Sequence, residues 1–188
     1  MTTLITERLV LRPWVPADRV PFAALNADPE VMAYIGEPLS RQESDAMVDR
    51  IEAHFAKRGF GFWAVEVTGG APFIGMIGLA VPRFEAHFTP CVEIGWRLAR
   101  KHQGHGYATE GARAALAYGF ETLGLDEIVA WTARGNLRSR ALMERLGMGY
   151  DPADDFAHPM LPEGHPLQEH VLYRIGRAAF AAVASRIH

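Results

Sequence analysis

Apolar and polar positions alternate early in the chain: Leu9 and Leu11 stand against Arg8, Val10 and Arg12, which predicts a short strand ended by Pro13. Helical spacing follows from Pro16 to about Asn26 and again from Ser40 to Arg58, where Ser40 with Glu43 three residues later reads as a capping box. Gly59 and Gly61 stop that helix. Phe62 to Val67 and Phe73 to Val81 are rich in aromatic and β-branched residues, and the turn chemistry of Thr68 to Pro72 between them predicts a hairpin. Cys91 to Leu98 alternates Val92, Ile94, Trp96 and Leu98 against Glu93, Gly95 and Arg97, a third strand beside the hairpin in an antiparallel meander.

The period then changes. From Gly106, Ala108, Ala112, Ala115, Gly119 and Leu123 recur at helical spacing, Leu116 and Phe120 widen the stripe, and Gly124 ends it. Ile128 to Thr132 predicts a strand, Leu137 to Leu146 a helix stopped by Gly147, and Val171 to Ile175 a last strand. Ala178 to Ala184, bounded by Arg177 and Arg186, predicts a terminal amphipathic helix, and Asp151 to Gln168 a long loop. The fold class is therefore mixed α/β.

At 188 residues the chain is sized for one domain spanning residues 1–188, and 49% hydrophobic with 22% charged residues is a globular balance. A formal net charge of -3 gives no global attraction to phosphate backbones, so nucleic acid is not expected as partner. The single cysteine, Cys91, has no internal partner, and no apolar run reaches bilayer length; a cytoplasmic protein without a membrane partner is expected. Eight histidines invite a metal reading, but none of their spacings brings acidic or cysteine partners, so no metal is expected.

The most informative segment runs from Arg100 through Lys101, His102, Gln103, Gly104, His105, Gly106 and Tyr107 to Ala108, between a strand and a helix. Glycines there let backbone N–H groups reach a ligand, and the helix start adds unpaired donors and the positive end of a dipole. Arg100, Lys101, His102 and His105 would add positive potential. The triphosphatase loop needs Gly-Lys followed by Ser or Thr, and the dinucleotide fingerprint needs glycine where Thr109 stands. Both fail, which leaves a phosphate cradle of another kind or a plain tight turn.

Lys101, Gly104 and Gly106 resemble the pyrophosphate motif of GNAT acyltransferases, in which Gln or Arg precedes Gly-x-Gly or Gly-x-Ala by two intervening residues; Lys101 departs from the usual side chain. Thr6 to Pro13, Glu93 to Trp96, Asn136 to Ser139 and His170 to Arg174 extend the similarity in order along the chain, toward the branch of ribosomal-protein N-terminal acetyltransferases. The resemblance implies a central, mainly antiparallel sheet with splayed central strands, acetyl-CoA as cosubstrate and an amine as acceptor. A protein N-terminal α-amine leads among acceptors; a polyamine, amino acid or aminoglycoside, and a catalytically silent CoA-binding module, stay open, as does a homodimer.

The resemblance also implies roles. Backbone groups of Ile94, Trp96 and Leu98 would border the pantetheine arm beside Gly95, which alone reads equally as a packing accommodation. Lys101, Gln103, Gly104, His105, Gly106, Tyr107 and Ala108 would hold the pyrophosphate. Glu93 is a candidate base if buried and unpaired, or a structural charge if paired with Arg97. Asn136 reads as a helix N-cap and would also border the pantetheine, while Ser139 is a candidate acid toward the departing thiolate or simply a polar residue of the helix start. Tyr34 and Trp63 are candidate substrate-binding residues, although Trp14, Tyr34, Phe62 and Trp63 read as core on composition.

Overall fold

The computed structural model describes residues 2–184, which group into two compact units: 1–80 with 95–115, and 81–94 with 116–184.

In the first unit, β1 (Leu4–Ile5), β2 (Leu9–Arg12), β3 (Phe62–Val67) and β4 (Gly75–Ala80) pair antiparallel in sequence order, with Leu4 opposite Leu11, Leu9 opposite Val67 and Trp63 opposite Ile77. The last residues of β5 (Glu93–Leu98) lie next to β4. Gly78 sits where a Cβ would come 2.1 Å from the Gly61 carbonyl oxygen, so that ladder admits no side chain there. The helices are α1 (Arg19–Asn26), α2 (Pro29–Met32), α3 (Arg41–Arg58) and α4 (Tyr107–Ala117). Helix α3 begins with the predicted capping box, Glu43 N–H donating to Ser40 Oγ and Ser40 N–H to Glu43 Oε2, and ends on Gly59 at φ 81°. Such a cap contributes about 1 kcal/mol. Leu9, Leu11, Phe22, Trp63, Val65 and Ile77 are completely buried. Helix α4 meets this sheet through Gly111, where a Cβ would lie 2.6 Å from the Ile77 Cδ1 methyl. Arg12 forks onto both oxygens of Asp18, itself 2% exposed, and also reaches Glu66, tying the end of β2 to the turn before α1.

In the second unit, the start of β5 pairs parallel with β6 (Glu127–Ala133), registered at Glu93 opposite Val129. This parallel neighbour departs from a pure meander, because a helical crossover rather than a hairpin links β5 to β6. Strand β6 continues antiparallel onto β9 (Glu169–Gly176), which also takes β7 (Gly149–Tyr150) and β8 (Phe156–Ala157). Helix α5 (Leu137–Arg145) follows β6, and α6 (Arg177–Ala184) follows β9; Arg186, the expected far boundary of that helix, lies outside the described residues. The stripe continuing α4 passes into a π-turn over Tyr118–Thr122. Phe88, Val129, Phe156 and Leu172 form a core cluster against which Phe84, Cys91 and Trp131 pack. The expected loop over Asp151 to Gln168 holds β8 and a short 3-10 turn at Pro152–Asp154.

Together the elements give a mixed α/β protein with mainly antiparallel strands. No helix among the described residues is long and apolar enough to cross a membrane.

Candidate active site

The turn before α4 has the form of an anion cradle. His102 and Gln103 N–H groups close a 3-10 turn onto Ala99 and Arg100, and Glu110 N–H is the first to bond back into the helix, onto Gly106. Between them, the N–H groups of Gly104 through Thr109 have no acceptor among the described residues. Gly104 at φ 79° and Gly106 at φ 81° bend the backbone through the left-handed region, which side-chain-bearing residues rarely enter. A Cβ at Gly104 would meet nothing within 4 Å, so the space beyond it is open. Gln103 turns its amide back to the Leu98 carbonyl at 2.9 Å, and the His105 ring contacts the Gln103 carbonyl at 2.9 Å and stacks on Tyr107.

The source of positive charge at the cradle differs from the expectation. Arg100 is ion-paired with Glu30 and lies 4.0 Å from Asp28, while His102 has its pKa lowered by burial and then by the nearby charges of Lys101 and His105. Lys101 is exposed, and Arg8, itself paired with a carboxylate, ties the turn down rather than adding net charge. Arg8 donates from Nη1 to the His105 carbonyl at 3.1 Å, stands over the Tyr107 ring and pairs with Glu110 at 2.6 Å. Glu110 also accepts from Thr6 Oγ1 at 2.6 Å and from Arg8 N–H at 2.8 Å. Burial opposes its ionisation, but these donors outweigh that and lower its pKa. Thr6, Arg8 and Glu110 thus fasten the cradle to β1 and β2, a positioning role that the sequence reading missed. Its only local signal was an acidic residue in the first helical turn.

On β5, Glu93 keeps some exposed surface, yet no hydrogen bond or ion pair reaches its carboxyl among the described residues, and burial raises its pKa to about 8. The pairing with Arg97 is not formed, since the Arg97 guanidinium donates to Asn26 Oδ1 at 2.6 Å. Cys91, two residues earlier, has its thiol pushed up to about 11 by burial and then by the Glu93 charge. Ile94 and Leu98 are buried and Trp96 is partly exposed. A Cβ at Gly95 would come 3.0 Å from the Phe62 ring, so this glycine makes room for an aromatic side chain of the first unit's own sheet.

In the second unit, Asn136 caps α5: Oδ1 accepts from Ser139 N–H at 3.2 Å, and Nδ2 donates to Thr132 Oγ1 at 2.9 Å. Ser139 is half-buried, and its hydroxyl has no partner among the described residues. Tyr173 donates its hydroxyl to Glu144 and accepts from Arg140. The two aromatic candidates part company. Tyr34 is 44% exposed, whereas Trp63 is completely buried, packed edge-on against Phe55 with its indole N–H donating to the Thr2 carbonyl. Trp63 has no surface to offer a substrate and serves the core. No cluster of three or more His, Cys, Asp or Glu side chains suited to a metal occurs among the described residues.

An open row of N–H donors at a helix start, bent by two left-handed glycines, fits the pyrophosphate of a CoA thioester. Residues 8–149 match the family model of the acetyltransferase (GNAT) domain. The chain is 36% identical over 159 residues, 78% of its length and 64% of the relative's, to an FsC-acetyl coenzyme A-N(2)-transacetylase of Aspergillus fumigatus. An acetyltransferase structure from Agrobacterium tumefaciens superposes with TM-score 0.74 at 30% identity, covering 93% of this chain and 94% of that one. Identity to a putative ribosomal N-acetyltransferase, YdaF of Bacillus subtilis, is 40% but spans only 55 residues, 29% of this chain and 30% of that one. The chain belongs to the GNAT acetyltransferase family. It is an acetyl-CoA-dependent N-acetyltransferase.

Proposed function

We propose that this enzyme acetylates a protein N-terminal α-amine, with a small amine (polyamine, amino acid or aminoglycoside) as the second reading. The ribosomal likeness supports the first but is confined to a short segment. The Aspergillus relative, named for N(2)-transacetylation, supports acetyl transfer to an amine nitrogen over a longer stretch. The observation that carries the enzymatic reading is the unpaired run of N–H groups from Gly104 to Thr109.

Acetyl-CoA supplies a thioester whose C–S bond breaks as the amine nitrogen forms the new C–N bond. In this proposal the cradle, with Gln103 and Lys101 at its entrance and Gly104 to Ala108 as its backbone, holds the pyrophosphate. Backbone groups of Ile94, Trp96 and Leu98 and the Asn136 side chain border the pantetheine arm, and Tyr34 contacts the acceptor. Glu93, unpaired and with a raised pKa, takes the proton that the amine gives up. Ser139 O–H, which has no partner among the described residues, gives a proton to the departing thiolate. A cytoplasmic setting fits a reaction that consumes acetyl-CoA.

Thiol release measured across peptides and small amines tests this reading. Acetyl-CoA-dependent release with at least one α-amine is expected. A folded preparation that gains no thermal stability from millimolar acetyl-CoA would overturn the cofactor assignment, since a ligand bound only by the native state must stabilise it.

A further inference from the structure

Arg97, on β5 in the first unit, has neighbours that are polar but uncharged. Its Nη1 donates to Asn26 Oδ1 at 2.6 Å and lies 3.8 Å from Met47 Sδ. Asn26 is completely buried, and its Nδ2 donates to Ser44 Oγ at 2.9 Å, a hydroxyl on a side chain that is itself completely buried. That bond fixes the amide with its oxygen toward the guanidinium. Nε is shut off from solvent without an acceptor, and Nη2 has none among the described residues. By contrast Arg8, Arg12, Arg19, Arg41 and Arg100 in the same unit each pair with a carboxylate.

An unsatisfied buried donor is costly to a fold, and a charge without its counter-ion more so. Burial lowers the Arg97 pKa to about 10, which still leaves it a cation at neutral pH. The arrangement leaves this cation with one neutral oxygen as its hydrogen-bond acceptor and no carboxylate among the described residues. Nε is closed to solvent, so Nη2 is the donor left for an approaching carboxylate oxygen, in a charge-assisted hydrogen bond. Strand alternation places Arg97 on the face of β5 opposite Trp96 and Leu98.

We infer that Arg97, oriented by Asn26 and Ser44, binds a carboxylate of the acceptor, so that the acceptor is an amine that also carries an acid group. This rests on the N-acetyltransferase reading. The acid is the α-carboxylate of a free amino acid or an acidic side chain close to the N-terminus of a peptide. A polyamine, carrying only positive charge, is disfavoured by the same guanidinium.

The test compares acceptors that differ only in that acid, by thiol release: free amino acids against their carboxamides, peptides beginning Ala-Asp against Ala-Asn, and spermidine. In one arm the acid should exceed its neutral partner by about tenfold or more in kcat/KM, because a site built to pair a group rejects the analogue lacking it; the arm that responds identifies the source. Arg97→Gln and Arg97→Met should bring the pair within about threefold by raising the acceptor KM, leaving acetyl-CoA binding unchanged. Arg97→Lys, which keeps charge but loses the guanidinium, should fall between. Equal use of acids and amides, preference for spermidine, or a retained preference in Arg97→Gln would each overturn the inference. So would no turnover of any acid-bearing acceptor by protein that binds acetyl-CoA. Failure to bind acetyl-CoA at all would instead strike the enzymatic reading beneath it. The wild-type comparison decides the matter even if a variant fails to fold.

Discussion

Glu93→Gln should make the protein more stable and less active, with a pH signature that separates the two effects. The wild-type carboxyl ordinarily ionises near 4.5 but is held here to about 8 by burial. Below pH 4.5 both folded and unfolded chains keep the proton, so the ionisation contributes nothing. Between 4.5 and 8 the unfolded chain releases a proton that the folded state retains, and wild-type stability falls as pH rises until the folded group also ionises. At about 1.4 kcal/mol per tenfold, the loss at pH 7 is roughly 3 kcal/mol, and the residue's partial exposure reduces it to roughly 1–3 kcal/mol. For a chain of this size each kcal/mol moves Tm by about 2–4 °C. Melting curves of both proteins from pH 4 to 9 should therefore show a gap that opens above pH 4.5 and levels off beyond pH 8. A constant gap would refute the raised pKa, whatever its sign. In the assay, wild-type kcat/KM should climb with pH toward 8, and the variant should lose about 10² or more at high pH if Glu93 is the base. A variant with the stability signature but full activity would leave proton removal to water.

The remaining expectations concern the cradle and the acid. Gly104→Glu adds bulk and negative charge where the open N–H row begins and should abolish the thermal shift with acetyl-CoA while the apo protein stays folded; an unchanged shift would misplace the cradle. Ser139→Ala should lower kcat by about 10²-fold with acetyl-CoA binding kept, whereas activity within about threefold would make it a residue of the helix start only. Arg8→Ala should weaken acetyl-CoA binding by roughly two- to tenfold by calorimetry, and the deficit should shrink as salt screens the wild-type pair.

Periodicity, apolar runs and turn residues located every long element; β3 over Phe62–Val67 and the capped helix α3 came out as expected. The two-residue strands β1, β7 and β8 and the single turn of α2 are too short to carry a period, and only their partners create them. The parallel neighbour of β5 was hidden because alternation along one strand does not encode its partner's direction. Within the site, the glycines were legible as backbone geometry and Asn136 as a cap. Trp63 was not, since an aromatic residue in a strand reads alike whether it faces a ligand or the core. Glu93 and Arg97 looked like a pair at strand spacing; Asn26, distant in sequence, took the arginine and left the carboxylate alone.

The clamp of Thr6, Arg8 and Glu110 on the turn before α4 also bears on the rate at which the cosubstrate arrives. A loop that folding has already ordered has little conformational freedom left to surrender at encounter. At the proposed cradle, association then requires no slow rearrangement and is limited by diffusion, while differences in affinity among CoA thioesters would reside in how long each stays bound.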